Sequence, residues 1–169
     1  MRRASLLAAL LVLSACASSR DTPAGVIELS SPAPTVSGPL LGGGSFGPAR
    51  YHDKVLVVNF FNPFCGPCRQ EQGTLERDWR RLHGGGVQFL GVHYVGGQWP
   101  SSVSAAREYV SRRGVTYPLI EDPHSDLARS LAIQGIPSTV VVDRGGLIRF
   151  RILGRVRPGE LQSLLKRLA

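Results

Sequence analysis

The sequence predicts an α/β domain built on a central mixed β-sheet flanked by helices. Three observations carry that prediction. The run VLVVNFF at Val55–Phe61 is almost wholly apolar and rich in β-branched residues, as a central strand buried on both faces should be. After it, strand-like runs alternate with helix-period stretches, which implies a mostly parallel sheet covered on both sides. Near the C-terminus, Asp143-Arg144-Gly145-Gly146 separates two apolar runs and reads as a hairpin turn, which adds antiparallel strands.

Each element has its own local signal. From Cys65 to His83 the pattern is helical: Leu75, Trp79 and Leu82 recur at i, i+4, i+7, and Gly84-Gly85-Gly86 stops the helix. Residues 87–95 (VQFLGVHYV) form the next strand. Ser101 or Ser102 can cap a helix that carries Val103, Ala106 and Val110 on one stripe and ends at Gly114. A short strand at 117–120 and a short helix at 126–133 follow. Strands at 139–143 and 147–153 flank the hairpin turn, and Pro158 opens a last helix with Leu161, Leu164, Leu165 and Leu168 inward.

The length of 169 residues suits one domain with a short appendage. Charged residues at 19% and hydrophobic ones at 43% exclude a disordered tail protein. The formal charge of +8 comes from 18 Arg and two Lys against 12 acidic residues. The arginines are scattered rather than gathered on one element, so nucleic-acid binding is not expected. Neither glycine triplet leads from a strand into a helix with the Gly and Lys spacing of a phosphate loop.

The N-terminus reads as an export signal. Arg2 and Arg3 precede a short apolar stretch, Leu6 to Leu13, too short to span a bilayer. Leu13-Ser14-Ala15-Cys16 resembles the lipobox of bacterial lipoproteins. That resemblance implies cleavage before Cys16 and acylation of its thiol, with about 0.8 kcal/mol of membrane affinity per buried CH₂. The expected organisation is a signal peptide at 1–15, a lipid-anchored tether at 16–34 rich in Ser, Ala, Pro and Thr, and the folded domain at 35–169.

The chemistry concentrates at Cys65-Gly66-Pro67-Cys68. A helix N-terminus offers unpaired N–H groups and partial positive charge, which favours a thiolate at Cys65. Cys68, about one turn further on, is near enough to attack a mixed disulfide formed on Cys65. Pro67 suits the first helical turn, where its missing N–H is not needed. Two other readings compete. A zinc site needs two further Cys or His ligands, and no His-x₃₋₅-His pair occurs among His52, His83, His93 and His124. An inert disulfide closing so short a loop would stabilise little.

The motif, after Asn59-Phe60-Phe61-Asn62-Pro63-Phe64, resembles the active site of the thioredoxin superfamily, and most closely the extracytoplasmic TlpA/ResA-like oxidoreductases. Cys68-Arg69-Gln70-Glu71, Asn59 in the preceding strand and a helix-plus-strand insertion at 96–121 support that subgroup. The resemblance implies a thioredoxin-like fold and no cofactor or metal. It implies Cys65 as nucleophile, Cys68 as resolving thiol, and Glu71, three residues on, as the group that takes the proton of Cys68. It implies a cis bond at Ile136-Pro137, with Ile136 offering backbone groups to a substrate strand. Phe64 stands where the family usually has Trp, so an aromatic surface beside the thiol is kept and the indole N–H is lost.

The expected protein is therefore a membrane-anchored, extracytoplasmic thiol-disulfide oxidoreductase of a bacterial envelope. The Gly-Pro dipeptide favours a reductase. Its partners would be exported proteins with disulfides, among them apocytochrome c, and a membrane thiol electron donor. With Cys16 on lipid and the other two cysteines paired, no thiol remains to join a second chain, and a monomer is expected. The alternatives are an oxidant using the same site, a peroxiredoxin-type peroxidase, which needs Thr or Ser where Asn62 stands, and a copper-binding module, which needs a wider cysteine spacing.

Overall fold

The computed structural model describes residues 23–168. The predicted signal peptide and Cys16 lie outside the described residues. Among the described residues, eight strands form: β1 (Val26–Pro32), β2 (Gly38–Pro39), β3 (Ser45–Phe46), β4 (Val55–Phe61), β5 (Val87–Tyr94), β6 (Leu119–Asp122), β7 (Ser138–Val142) and β8 (Leu147–Leu153). The helices are α1 (Gly66–Leu82), α2 (Val103–Arg113), α3 (Asp126–Ser130) and α4 (Glu160–Leu165).

The main sheet has the order β1-β8-β7-β4-β5-β6. Strands β4, β5 and β6 run parallel, and β7, β8 and β1 pair antiparallel. This mixed sheet with helices on both faces bears out the expected fold class. The β7–β8 turn closes through Gly146, whose N–H donates to Asp143 O at 3.0 Å with φ 79°, a conformation that glycine adopts without strain.

One expectation is corrected here. Residues 26–32 are not tether but the edge strand β1, paired with β8. An edge strand needs a partner on one side only, so its Ser-Ser-Pro ending is tolerated where a central strand would not tolerate it. The folded part therefore begins before residue 35.

Period-two alternation along β4 divides the core. Val55, Val57 and Phe61 join a cluster with Leu75 of α1, Ala106 and Tyr109 of α2, and Leu161 and Leu164 of α4. Leu56, Val58 and Phe60 join the opposite cluster, with Leu127 and Ala128 of α3. Asn59 is in phase with Val57 and Phe61, so its polar side chain enters the α1 face.

Candidate active site

Strand β4 ends at Phe61 and α1 begins at Gly66, so four residues turn the chain from sheet to helix. Asn62 fixes that turn. Its Oδ1 accepts from Phe64 N–H at 3.0 Å, and its Nδ2 donates to Tyr94 O at 2.9 Å, Trp99 O at 3.0 Å and Ser101 Oγ at 3.1 Å. The last three acceptors belong to the end of β5 and the loop before α2. One asparagine thus ties the cysteine turn to the insertion.

Cys65 is the N-cap of α1, and its Sγ accepts from Cys68 N–H at 3.2 Å. The sulfur therefore occupies the place of a capping oxygen, facing the orphan donors of the helix. Cys65 and Cys68 form a disulfide with Cα atoms 5.3 Å apart, and both residues are buried. Phe64 beside them is 58% exposed.

Glu71 lies on the same face of α1 as Cys68 and is 1% exposed. Its Oε1 accepts from Asn59 Nδ2 at 2.8 Å and its Oε2 from Val156 N–H at 2.7 Å. Burial raises the carboxyl to about 7, against the opposing pull of those two donors and of the Arg155 charge. Arg155 itself reaches Gln70 Oε1, one residue before Glu71. Asn59 Nδ2 also donates to Thr139 Oγ1 at 3.0 Å, while Asn59 Oδ1 is buried without a hydrogen-bond partner among the described residues.

The Ile136–Pro137 peptide is cis. Pro137 O accepts from Gly154 N–H at 3.0 Å, and Ser138 Oγ donates to Gly135 O at 2.7 Å. Ile136 packs against the cluster that contains both cysteines. No backbone hydrogen bond to Ile136 occurs among the described residues.

His93, on β5 beside Phe61, is buried, and burial holds its pKa below the usual value. Its Nε2 lies 2.5 Å from Ser101 Oγ. Which of the two atoms donates follows the His93 tautomer, and the contact joins Asn62, Ser101 and His93 in one polar chain. Sequence spacing did not disclose this Asn62–Ser101–His93 chain, since its members lie 8 and 39 residues apart. The Asn62-Pro63 turn dipeptide was the only hint. The Val156 N–H donor to Glu71 was equally hidden. Among the described residues, no group of three or more His, Cys, Asp or Glu is arranged to hold a metal ion.

Comparison with known proteins places this geometry in a family. The chain is 29% identical over 102 residues to the thiol:disulfide interchange protein HelX of Rhodobacter capsulatus, covering 60% of this chain and 53% of that protein. It is 29% identical over 119 residues to the thiol:disulfide interchange protein DsbE of Allochromatium vinosum, covering 68% and 61%. The chain thus spans a little over half the length of these curated relatives. The crystal structure of a DsbF homologue from Corynebacterium diphtheriae superposes with a TM-score of 0.74 at 25% identity, covering 88% of this chain and 97% of that one. The sequence pattern of the AhpC/TSA family matches residues 29–151, a span that includes both cysteines and the cis-proline. The chain belongs to the AhpC/TSA family, in its thioredoxin-like form.

Proposed function

We propose that this protein is an extracytoplasmic, membrane-anchored thiol-disulfide oxidoreductase that works as a reductase. The observation that carries the reading is the Cys65–Cys68 pair at the N-terminus of α1 with a buried, proton-accepting carboxylate one turn along. In the reduced protein, Cys65 thiolate attacks a substrate disulfide, forms a mixed disulfide and expels one substrate thiolate. Cys68 then gives its proton to Glu71 and attacks Cys65 Sγ. The second substrate thiolate leaves, both substrate thiolates take up protons, and the Cys65–Cys68 disulfide is formed. Two electrons have passed to the substrate. A dithiol donor at the membrane returns the pair to the reduced state.

Glu71 suits its part because a carboxyl near 7 is divided between its two forms at neutral pH and can both take and release a proton. Ile136, held by the cis bond to Pro137 and with its backbone groups unengaged among the described residues, offers an edge for the substrate strand, and Phe64, directly before Cys65, offers it an exposed ring. The lipobox resemblance at Cys16 supports the anchor, and among the described residues no helix is long and apolar enough to cross a membrane. The names of the relatives HelX and DsbE, as thiol:disulfide interchange proteins, support the activity. Reduction of apocytochrome c cysteines is the physiological task we assign.

The deciding experiment uses Cys68→Ser. This variant should accumulate a mixed disulfide between Cys65 and a disulfide substrate, visible as a mass adduct, whereas Cys65→Ser should give none. A potential near −270 mV fits a reductase, and one near −120 mV would reverse the direction. A peroxidase lacks the hydroxyl it needs, because Asn62 stands in that place with its amide committed to four groups.

A further inference from the structure

A groove of about 280 Å³ runs from the cysteine turn along α2. Phe64, Arg69, Glu108, Tyr109, Arg112 and Arg113 line it. Phe64 is one of only three large hydrophobic side chains exposed among the described residues, and it directly precedes Cys65. Arg69 Nη1 donates to Pro63 O at 3.4 Å and Phe64 O at 3.3 Å, so this cation is pinned to the turn that carries the thiol. Arg113 lies over the Tyr109 ring at 5.7 Å. Arg112 is paired with Glu108 at 2.6 Å. Among the described residues, neither Arg69 nor Arg113 has a carboxylate within ion-pair distance.

The groove therefore holds three cations against one anion, beside an open aromatic face. An exposed apolar ring with a cationic rim is complementary to a chain that brings an apolar side chain and a carboxylate together. Its length selects among such ligands. From Ala105 to Arg113 the helix rises about 12 Å, which matches about four residues of extended chain. Glutathione disulfide has the carboxylates but no apolar side chain to cover Phe64.

We propose that this groove is a specificity subsite for a polypeptide substrate carrying Asp or Glu within about four residues of its disulfide cysteine. The inference rests on the oxidoreductase reading and adds the substrate class to it. Arg69 and Arg113 attract the acidic residues, Phe64 packs against an apolar neighbour of the cysteine, and the aligned disulfide is presented to Cys65.

The test uses the pre-reduced full domain and two disulfide peptides that are identical except for Glu or Lys flanking the cysteine. At low ionic strength the Glu peptide should be reduced about tenfold faster, and in 0.5 M NaCl the two rates should converge within about twofold. Arg113→Glu should abolish the preference. Arg144→Glu, with the same change of charge at the far end of the sheet, should keep it. Equal rates for the two peptides in low salt would overturn the subsite. So would the same Arg113 dependence with glutathione disulfide, which would make the groove a carboxylate site for small molecules. Arg113-dependent retention on phosphatidylglycerol vesicles without any peptide preference would give the groove to the membrane surface instead. No exchange with either peptide would overturn the oxidoreductase reading itself, which separates that failure from failure of the groove.

Discussion

Helix α1 buries two glutamates, five residues apart, in opposite electrostatic states. Glu76, 8% exposed, accepts Thr116 N–H at 2.9 Å, Thr116 Oγ at 2.7 Å and Arg80 Nε at 2.6 Å. Burial pushes its pKa up, but those donors and the arginine charge outweigh it and the carboxyl sits below the usual value. Glu71, 1% exposed, has only Asn59 and Val156 as donors among the described residues, and Arg155 acts on it without a direct bond. There burial wins. A carboxylate with enough donors is a clamp, and here it ties α1 to the segment before β6. A carboxylate left short of donors holds its proton near neutral pH and becomes available to chemistry.

The largest expected effect separates the two in kinetics. Glu71→Gln keeps the shape but cannot take a proton, so the exchange step should slow by about 10²-fold. Its pH profile should also lose the ionisation near 7. Glu76→Gln should leave that profile in place. Stopped-flow reduction of a disulfide peptide from pH 6 to 9 measures both, and a profile for Glu71→Gln that matches the wild type would end the proton-transfer role.

The second effect is on stability, and its sign differs between the two residues. Folded Glu71 keeps its proton up to about 7, whereas the unfolded chain releases it near 4.5. Between those values the folded state binds more protons, so raising the pH favours unfolding, by on the order of 3 kcal/mol in all. Denaturant titration of the oxidised protein should show Glu71→Gln gaining on wild type from pH 4.5 to 8. Glu76 works in reverse: its contribution is present above the unfolded value and is lost as the pH falls through its lower folded value. Glu76→Ala should cost about 1–2 kcal/mol at pH 7 and progressively less in acid. A constant penalty across that range would show that its carboxylate is not the clamp.

These two sites also show what the sequence discloses. The helix, the buried β4 run and the hairpin turn were readable because each rests on spacing within one segment. Glu71 was readable as a partner of Cys68 for the same reason: the two lie one turn apart on one helix. Its raised pKa was not, because that rests on burial beneath segments distant in sequence, set against donors from Val156, 85 residues away, and from Asn59. Glu76 gave no signal, since Thr116 is 40 residues distant. The edge strand β1 was hidden by Ser and Pro, which an edge tolerates. Long-range polar pairing leaves no periodicity to read.

The smallest effect tests whether donor supply sets the difference. Among the described residues, Asn59 is the single side chain that donates to Glu71, yet its own Oδ1 has no partner there. Asn59→Leu removes both the donor and the orphaned oxygen while keeping the same branched outline. Loss of the donor deprives the Glu71 carboxylate of one bond and leaves Thr139 Oγ1 with one fewer. Loss of the buried, unpaired oxygen returns a desolvation penalty of similar size. Net stability should therefore change by less than about 1 kcal/mol. The carboxyl, short of one more donor, should move above its value of about 7. The pH–rate limb should shift upward with little change in the limiting rate. A limb that stays in place would mean that burial alone holds the Glu71 proton, and that the contrast with Glu76 lies in depth rather than in the number of donors.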